Sequence, residues 1–294
     1  MSYLQIVILS LIQGAAELLP VSSSAHVILA ERLMGLDPSA PELTFLLVML
    51  HTGTMFAVLG YFWPRWKLLF LPPGTAKADM VRPSRFHFLK MVFLATIVTG
   101  VLGLGLKVLI EKVILMRLLG HEKGEVEQLF NNLPLIAAAL LGVGLFILVS
   151  GFRRAKVETN VVRPWPSFLI GTVQALCLPF RGFSRSGATI STALCCGISR
   201  PLAEEFSFAL AVPLTPPVIA LELHRLLQAR AEQVDTAVIH LLLPGLVGMV
   251  LSFLAGLVAL RFLSAALERG GWKYFGFYCI LAAGFVLVVA FSTN

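Results

Sequence analysis

Two short polar segments, each enclosed by strongly apolar sequence, carry the residue types that could do chemistry in this chain. The first, residues 13–26, contains Glu17, three consecutive serines and a histidine. The second, residues 182–189, combines hydroxyl side chains with Arg185. A hydroxyl nucleophile, a carboxylate, an imidazole and a guanidinium together form a set suited to phosphoryl transfer.

The composition indicates a polytopic membrane protein. Of 294 residues, 57% are hydrophobic and 13% are charged, whereas soluble domains carry roughly 25% charged residues. An unpaired carboxylate in hydrocarbon costs several kcal/mol, so polar clusters persist there only where protein or water surrounds them. The net charge of +7 comes from basic loops between apolar segments. Membrane topology explains those loops, so no nucleic-acid partner is expected.

Each polar segment lies between two apolar runs that are too short to cross a bilayer, which takes about 20 residues. The flanking runs are residues 2–19 and 25–33 in the first case, and 167–178 and 187–197 in the second. Two half-length helices joined by a polar turn predict a re-entrant hairpin. Longer apolar segments, three after each hairpin, are predicted to span the membrane: residues 41–63, 86–110, 133–152, 202–226, 238–262 and 272–291.

The two halves of the chain resemble each other. Ser22 and Ser184 are 162 residues apart, as are Gly35 and Gly197, and residues 42–47 are similar to 205–210. We interpret 1–294 as a single membrane domain containing a first repeat, 1–152, and a second, 164–294. Three crossings per half invert the second repeat, so the hairpins enter from opposite sides and meet near the midplane. The expected fold is all-α and polytopic, with six transmembrane helices plus two re-entrant helical hairpins in an inverted-topology repeat.

Basic residues are distributed unevenly between the two sides of this topology. One side carries Arg65, Lys67, Lys77, Arg82, Arg85, Lys90, Arg153, Arg154, Lys156, Arg163, Arg261, Arg269 and Lys273. The other carries Arg32, Lys107, Lys112, Arg117, Lys123, Arg225 and Arg230. The richer side is expected to be cytoplasmic. Both termini and the mouth of the first hairpin then face outward.

Spacing within the first polar segment can bring its reactive groups onto shared helix faces. Gln13 and Glu17 are four residues apart. Ser22 and Ser23 precede His26 by four and three residues, and positions with these spacings are neighbours on a helix. The turn can therefore join a carboxylate, hydroxyls and an imidazole, although the serines could instead cap the second short helix.

The second polar segment is typical of an anion site. Arg185 and Ser186 precede Thr189 by four and three residues, and a helix starting there points its free N–H groups and positive dipole end at the turn. Arg185 adds a fork of donors, and Ser184, Ser186 and Thr189 can complete a phosphate cradle. Ser186 could instead cap the helix. Arg181 is either a second phosphate donor or a local ion-pair partner.

Charged groups are costly inside the membrane, so Glu17, His26 and Arg185 are interpreted as functional. His51, about ten residues into the first predicted span, is interpreted as a supporting group near the site. The candidates for phosphate binding are Gln13, Ser22, Ser184, Ser186 and Thr189.

These motifs together resemble a known family. The Gln13 to Glu17 segment, the Pro-Val-Ser-Ser run at 20–23 and the Ser-Arg-Ser-Gly-Ala-Thr run at 184–189 are similar to motifs of the undecaprenyl-diphosphatase (bacitracin-resistance) family. Residues 198–200 and 205–213 continue the similarity, so it covers essentially the whole chain with its motifs in order.

The resemblance implies a phosphatase of the bacterial inner membrane that converts undecaprenyl diphosphate to the monophosphate and recycles the cell-wall carrier lipid. It also implies an outward-facing site, a homodimer and help from a divalent cation such as Mg or Ca. By the same resemblance, Glu17, Ser23, His26 and Arg185 are the positions most tied to activity. Our hypothesis is that Ser23 attacks phosphorus or positions water, while Glu17 and His26 manage protons.

Two residues depart from the family pattern. Gln13 stands where a second glutamate is common, and Arg181 stands where proline is usual. With Gln13 in that place, the motif has one carboxylate, which argues against a metal site built on two carboxylates. The four cysteines have no metal-ligand spacing either, so no dedicated metal ligands are predicted.

A polyprenyl-phosphate flippase or transporter is the alternative, because inverted repeats and paired hairpins are ordinary transporter architecture. The phosphatase is preferred because Glu17, Ser23, His26 and Arg185 together exceed what phosphate binding alone requires.

Overall fold

The computed structural model describes residues 1–37, 40–67, 76–112, 132–153, 158–230 and 237–292. The side chains at positions 41, 42, 76–85, 218, 221–230 and 237–241 are also outside the description. Ten helices are described, in chain order: α1 (Tyr3–Leu18), α2 (Ser23–Leu33), α3 (Pro41–Trp66), α4 (Ala76–Leu109), α5 (Leu133–Phe152), α6 (Pro164–Cys177), α7 (Arg185–Cys195), α8 (Arg200–Arg230), α9 (Ala237–Glu268) and α10 (Trp272–Ser292).

Several basic residues that support the predicted orientation lie outside the described residues: Arg117, Lys123, Arg154 and Lys156. Others lie on described backbone with undescribed side chains: Lys77, Arg82, Arg85, Arg225 and Arg230. The orientation therefore stays a prediction.

The apolar helices make the chain a multi-pass membrane protein. In the described part of the chain, five helices are long and apolar enough to span: Leu43–Trp66, Phe86–Lys112, Leu133–Phe152, Leu242–Glu268 and Trp272–Ser292. The remaining predicted span, residues 202–226, lies in helix α8. This helix is 31 residues long, contains three prolines and buries both Glu204 and Glu205. Its crossing of the membrane stays a prediction.

The helices group into two compact units. The first unit contains Met1–Leu19, Ser23–Pro64 and Ala211–Ala265. The second unit contains Pro20–Ser22, Arg65–Leu210 and Ala266–Asn294. In the first unit α1 packs on α2, and in the second α10 packs on α5, α4 on α6, and α7 on both α5 and α6. Each polar segment is thus flanked by two packed short helices, as the sequence predicts.

The short helices have the lengths expected of half-membrane segments. Helices α1 and α6 contain 16 and 14 residues, and α2 and α7 contain 11 each. At 1.5 Å per residue the longest covers about 24 Å, less than the hydrocarbon thickness of about 30 Å.

Helices α2 and α7 end in the same way. Gly35 has φ 64 and Gly197 has φ 76, the left-handed conformation in which glycine carries no Cβ penalty. The N–H that follows each glycine reaches back to a helix carbonyl, Leu36 to Glu31 at 2.9 Å and Ile198 to Ala193 at 3.0 Å. The predicted equivalence of Gly35 and Gly197 therefore extends to their backbone geometry.

Two glycines allow close approach between helices. In the first unit, a Cβ on Gly14 of α1 would lie 2.6 Å from the Ser252 carbonyl oxygen of α9. In the second, a Cβ on Gly171 of α6 would lie 2.5 Å from the Ala95 carbonyl oxygen of α4. Any larger side chain would push these backbones apart, so the small residues fix how deeply each short helix is seated.

Candidate active site

The turn after α1 has a local cause. Residues before proline are forced out of the helical region, and Leu19, which precedes Pro20, has ψ 152. Ser22 then adopts φ 70 and is 5% exposed. A non-glycine residue in this region costs about 1–3 kcal/mol and is characteristic of functional turns. The reversal starts α2 at Ser23, six residues after Glu17.

Two polar side chains of the first cluster donate hydrogen bonds to Glu17. Ser23 donates its hydroxyl to Glu17 Oε2 at 2.5 Å, and Gln13 Nε2 donates to the same oxygen at 3.1 Å. The hydroxyl to carboxylate distance is that of a charge-assisted hydrogen bond. The carboxylate is therefore placed to receive the Ser23 proton, which is the arrangement that activates a serine for nucleophilic attack.

His51 of α3 also faces Glu17. Its Nε2 lies 4.0 Å from Glu17 Oε2, and its Nδ1 lies 2.8 Å from the Leu47 carbonyl oxygen. Because a carbonyl only accepts, Nδ1 carries a proton and donates it to Leu47, which fixes the ring with Nε2 toward the carboxylate. The sequence predicted His51 as a supporting group, and the structure brings it beside Glu17.

The other residues of the first segment adjoin this group along the chain. His26 is half-buried on α2, three residues after Ser23 and on the same helical stripe. Ser22 lies in the turn immediately before α2. The structure thus brings Gln13, Ser23 and His51 to within 4.0 Å of Glu17 Oε2.

The second cluster is built at the start of α7. Ser184 is the N-cap: its Oγ accepts the Gly187 N–H at 3.2 Å and lies 3.3 Å from Ser186 Oγ. Ser184 thus satisfies one of the first N–H groups of the helix, so the N-cap of α7 is Ser184 and not Ser186, the serine for which the sequence left a capping role open. Both hydroxyls are buried.

Arg185 is anchored on α8. Its Nη1 donates to the Ser207 carbonyl at 3.3 Å, and its guanidinium carbon lies 6.0 Å from the centre of the Phe208 ring. Thr189, which is 1% exposed, donates to the Arg185 carbonyl at 2.9 Å and lies 2.6 Å from Ser207 Oγ. Since a threonine hydroxyl has one proton, Ser207 is the donor in the second bond. Thr189 and Ser207 therefore fix the backbone that presents Arg185.

The turn leading into α7 requires glycine. Gly182 has φ 101, and a Cβ there would lie 2.5 Å from the Ile136 carbonyl oxygen of α5. Arg181, half-buried, occupies the position just before it. The turn is thus pressed against α5, and its path is set before any ligand binds.

The described side chains offer few ligands for a divalent cation. Among the described residues, no group of three His, Cys, Asp or Glu side chains could hold a metal ion. Mg²⁺ is commonly held by one or two carboxylates together with substrate phosphates and water. Glu17 fits that mode as a single protein ligand, and an all-protein cage does not fit the described chain.

Ser207 is the residue of the candidate site that sequence reasoning missed. It was noted only as part of a repeated segment, and its contacts with Arg185 and Thr189 come from a different helix. The sequence did contain a signal for Ser207 in the internal repeat. Ser207 lies two residues after Glu205 and aligns with Thr44 of the first half.

Comparisons with known proteins agree with the family resemblance of the sequence motifs. Residues 6–285 match the model of a family described as bacitracin resistance protein BacA. The chain is 54% identical to undecaprenyl-diphosphatase 2 of Acinetobacter baylyi, with 99% of each chain covered. It is 35% identical to undecaprenyl-diphosphatase 2 of Burkholderia ambifaria and 34% identical to undecaprenyl-diphosphatase 1 of Burkholderia pseudomallei, covering 98% of this chain and 96% of each relative. With both polar clusters inside the matched region, the chain belongs to the bacitracin resistance protein BacA family.

Proposed function

We propose that this protein hydrolyses undecaprenyl diphosphate to undecaprenyl phosphate and inorganic phosphate. Family membership over nearly the whole chain supports the reaction. The observation that carries it is the 2.5 Å hydrogen bond from Ser23 to Glu17. A protein that only binds or moves a lipid phosphate has no use for a hydroxyl paired with a base.

In the proposed first step, Ser23 Oγ forms a bond to the terminal phosphorus and its proton passes to Glu17. The bond between that phosphorus and the bridging oxygen breaks, and the lipid monophosphate leaves with the electron pair. Water then attacks the phosphoserine, releasing inorganic phosphate and restoring the serine hydroxyl. His51 Nε2, 4.0 Å from the carboxylate, is the next proton site, and His26 on α2 is the third titratable group of this segment.

A second route uses the same contacts without a covalent intermediate. Ser23 and Glu17 orient a water molecule, which attacks the terminal phosphorus directly and gives its proton to the carboxylate. Ser23→Ala tests Ser23 as the nucleophile, because direct attack by water or by His26 leaves a rate within about tenfold of the parent, whereas loss of the nucleophile costs far more.

The turn before α7 is proposed to hold the diphosphate of the same substrate. Arg185 supplies a planar guanidinium suited to phosphate oxygens, and the start of α7 adds its dipole. Anchoring by the Ser207 carbonyl and the Phe208 ring limits the rotamers of Arg185, which lowers the entropy cost of binding. Ser186 and Arg181 are proposed to contribute further donors.

A divalent cation is proposed to accompany the diphosphate, with Glu17 as its protein ligand. Such a cation neutralises charge on the phosphate oxygens when bound. Gln13 contributes an amide where a second carboxylate would add charge, so Glu17 would be the protein's carboxylate toward such a cation and the substrate's phosphate oxygens would have to supply further ligands.

The inverted repeat is also proposed for this chain, with α8 as the sixth span and α1–α2 and α6–α7 as re-entrant hairpins. Support comes from equivalent contacts within each unit: Gly14 faces Ser252, and Gly171 faces Ala95. Gly14 and Gly171 are 157 positions apart, and so are Ala95 and Ser252.

We further propose that both termini face the periplasm. The excess of Lys and Arg on the predicted cytoplasmic side supports this orientation. A C-terminal alkaline phosphatase fusion should be active, and an active cytoplasmic reporter at that end would reverse the assignment. A homodimer is proposed from the family resemblance alone, and light scattering of the purified protein tests it.

Phosphate release by the purified protein tests the function. Parent protein should release phosphate from undecaprenyl diphosphate, and Arg185→Ala should lose at least about 100-fold in kcat/KM, as expected when a transition-state charge contact is removed. Arg163→Ala removes an exposed arginine with no side-chain cap bond and is the matched control. Unchanged turnover in Arg185→Ala would refute the assigned role.

A further inference from the structure

A basic cavity lies in the second unit, and none of the residues assigned to catalysis lines it. Its volume is about 580 Å³, within the range of about 300–1,000 Å³ typical of small-ligand pockets. It is formed where α5 and α7 end and where α8 and α10 begin, and its polar wall contains Arg153, Glu158, Arg200, Arg269 and Lys273. None of these residues takes part in the proposed hydrolysis.

The wall is strongly cationic. Four basic side chains face one carboxylate, Glu158. Among the described residues, no ion pair within 4.0 Å joins the four cations to an acidic side chain. Helix N-termini and C-termini both meet at the cavity, and their partial charges of about half a unit have opposite signs. The full charges of the side chains therefore determine the electrostatic potential inside the cavity.

The frame of the cavity is fixed by hydrogen bonds. Trp272 Nε1 donates to Ser150 Oγ at 2.9 Å, and Ser150 Oγ donates to Ser191 Oγ of α7 at 2.9 Å. Backbone bonds of 2.8 and 2.9 Å join Thr159 to Gly197 and Ser199. These bonds hold the segment next to Glu158 against the end of α7, so the cavity is a preformed feature.

The cavity lies at the level of the membrane surface. Phe152 is the last residue of one span and Trp272 the first of another, and both line the cavity. Phe152 and Tyr274 are 62% and 67% exposed, as expected for aromatic residues at a membrane interface. Below them, Val149 and Leu281 present apolar side chains that are 61% and 75% exposed.

We propose that this cavity binds the phosphate headgroup of an anionic membrane lipid, whose acyl chains lie along the exposed apolar surfaces of α5 and α10. Four cations at headgroup depth supply the charge, as in basic pockets between transmembrane helices that bind anionic lipids. The adjoining apolar surface favours a lipid phosphate over a free phosphate ion, because a soluble anion gains nothing from it.

The lipid site is separate from the proposed phosphate hold. Arg185 begins α7, and Leu194 near its other end lines the cavity. Arg185 and Leu194 are nine positions apart, which is about 13.5 Å along the helix. A lipid in the cavity therefore leaves the Arg185 turn accessible to substrate.

Native mass spectrometry of the delipidated full-length protein tests the proposal with phosphatidylglycerol, which carries an anionic phosphate, and diacylglycerol, which carries none. The variant Arg269→Gln/Lys273→Gln should bind phosphatidylglycerol about 30-fold more weakly, because each basic residue near the surface contributes about fivefold. Lys90→Gln/Arg163→Gln removes the same charge from exposed positions outside the cavity. This control should stay within about threefold of the parent.

Equal phosphatidylglycerol affinity in the cavity variant and the control variant would overturn the proposal. Displacement of the lipid from parent protein by millimolar inorganic phosphate, but not by sodium chloride of equal ionic strength, would instead indicate a soluble-anion site. If the double variant fails to fold, Arg269→Gln and Lys273→Gln alone should each lose about fivefold, and no loss in either would refute the lipid site.

Discussion

Replacement of Glu17 by glutamine is the most informative perturbation of the first cluster. The side chain keeps its size, but it can no longer accept the proton of Ser23, whose hydroxyl lies 2.5 Å away. General-base catalysis contributes about 100- to 10,000-fold, which corresponds to roughly 3–5 kcal/mol. At saturating Mg²⁺ we expect kcat to fall by that factor and KM to change less than kcat, because Arg185 and the start of α7, which are assigned the phosphate hold, are unaltered.

The assay is phosphate release from undecaprenyl diphosphate in detergent, measured at saturating and subsaturating substrate. Glu17→Asp keeps a carboxylate one methylene farther from Ser23 and should fall between parent and Glu17→Gln. Ser10→Ala on the same helix removes a buried hydroxyl whose hydrogen bond, to the Ile6 carbonyl at 2.6 Å, stays within α1, and controls for packing. A Glu17→Gln rate within about threefold of Ser10→Ala would show that Glu17 is not the base.

Three further predictions concern the same architecture. His51→Gln should lower kcat by about tenfold or more, whereas His87→Gln, which removes an imidazole bound to the Val162 carbonyl, should not; equal rates would remove His51 from the proton path. Gly171→Ala should destabilise the protein by about 1–3 kcal/mol in thermal unfolding, because its Cβ would meet the Ala95 carbonyl oxygen. Gly100→Ala, at an open position, should be neutral or stabilising, and a similar loss in both would refute the packing argument. Chelation with EDTA should lower phosphate release and added Mg²⁺ should restore it, while full activity in EDTA would exclude the cation proposed at Glu17.

The sequence predicts helices well where their limits are local. Residues 133–152 were predicted as a span, and α5 is Leu133–Phe152. Helix α4 starts at Ala76, ten residues before the predicted span, and α9 extends to Glu268, six residues beyond. Hydropathy marks where hydrocarbon ends, but a helix continues into the interface as long as its backbone hydrogen bonds are satisfied.

The candidate site also contains some contacts that local sequence spacing predicts and others that it does not. The bond from Gln13 to Glu17 follows from a separation of four on one helix, and Ser23 reaches Glu17 across a short turn. His51 approaches Glu17 only because α3 packs beside the first hairpin, through a core that includes Leu9, Val27 and Leu50. Such long-range packing is not encoded in local spacing, and Ser207 was missed for the same reason.

The glycine contacts also set an order of events during synthesis. Ala95 is made before Gly171, so the second short-helix pair meets its partner helix as it emerges. Gly14 must wait for Ser252, which lies 238 residues later in the chain. Synthesis of those residues takes roughly 12–50 s at about 5–20 residues per second. During that interval α1, with Glu17 near its end, lacks the α9 surface that later covers it. The nascent chain therefore has a defined period in which its amino-terminal polar segment exists without the packing of α9.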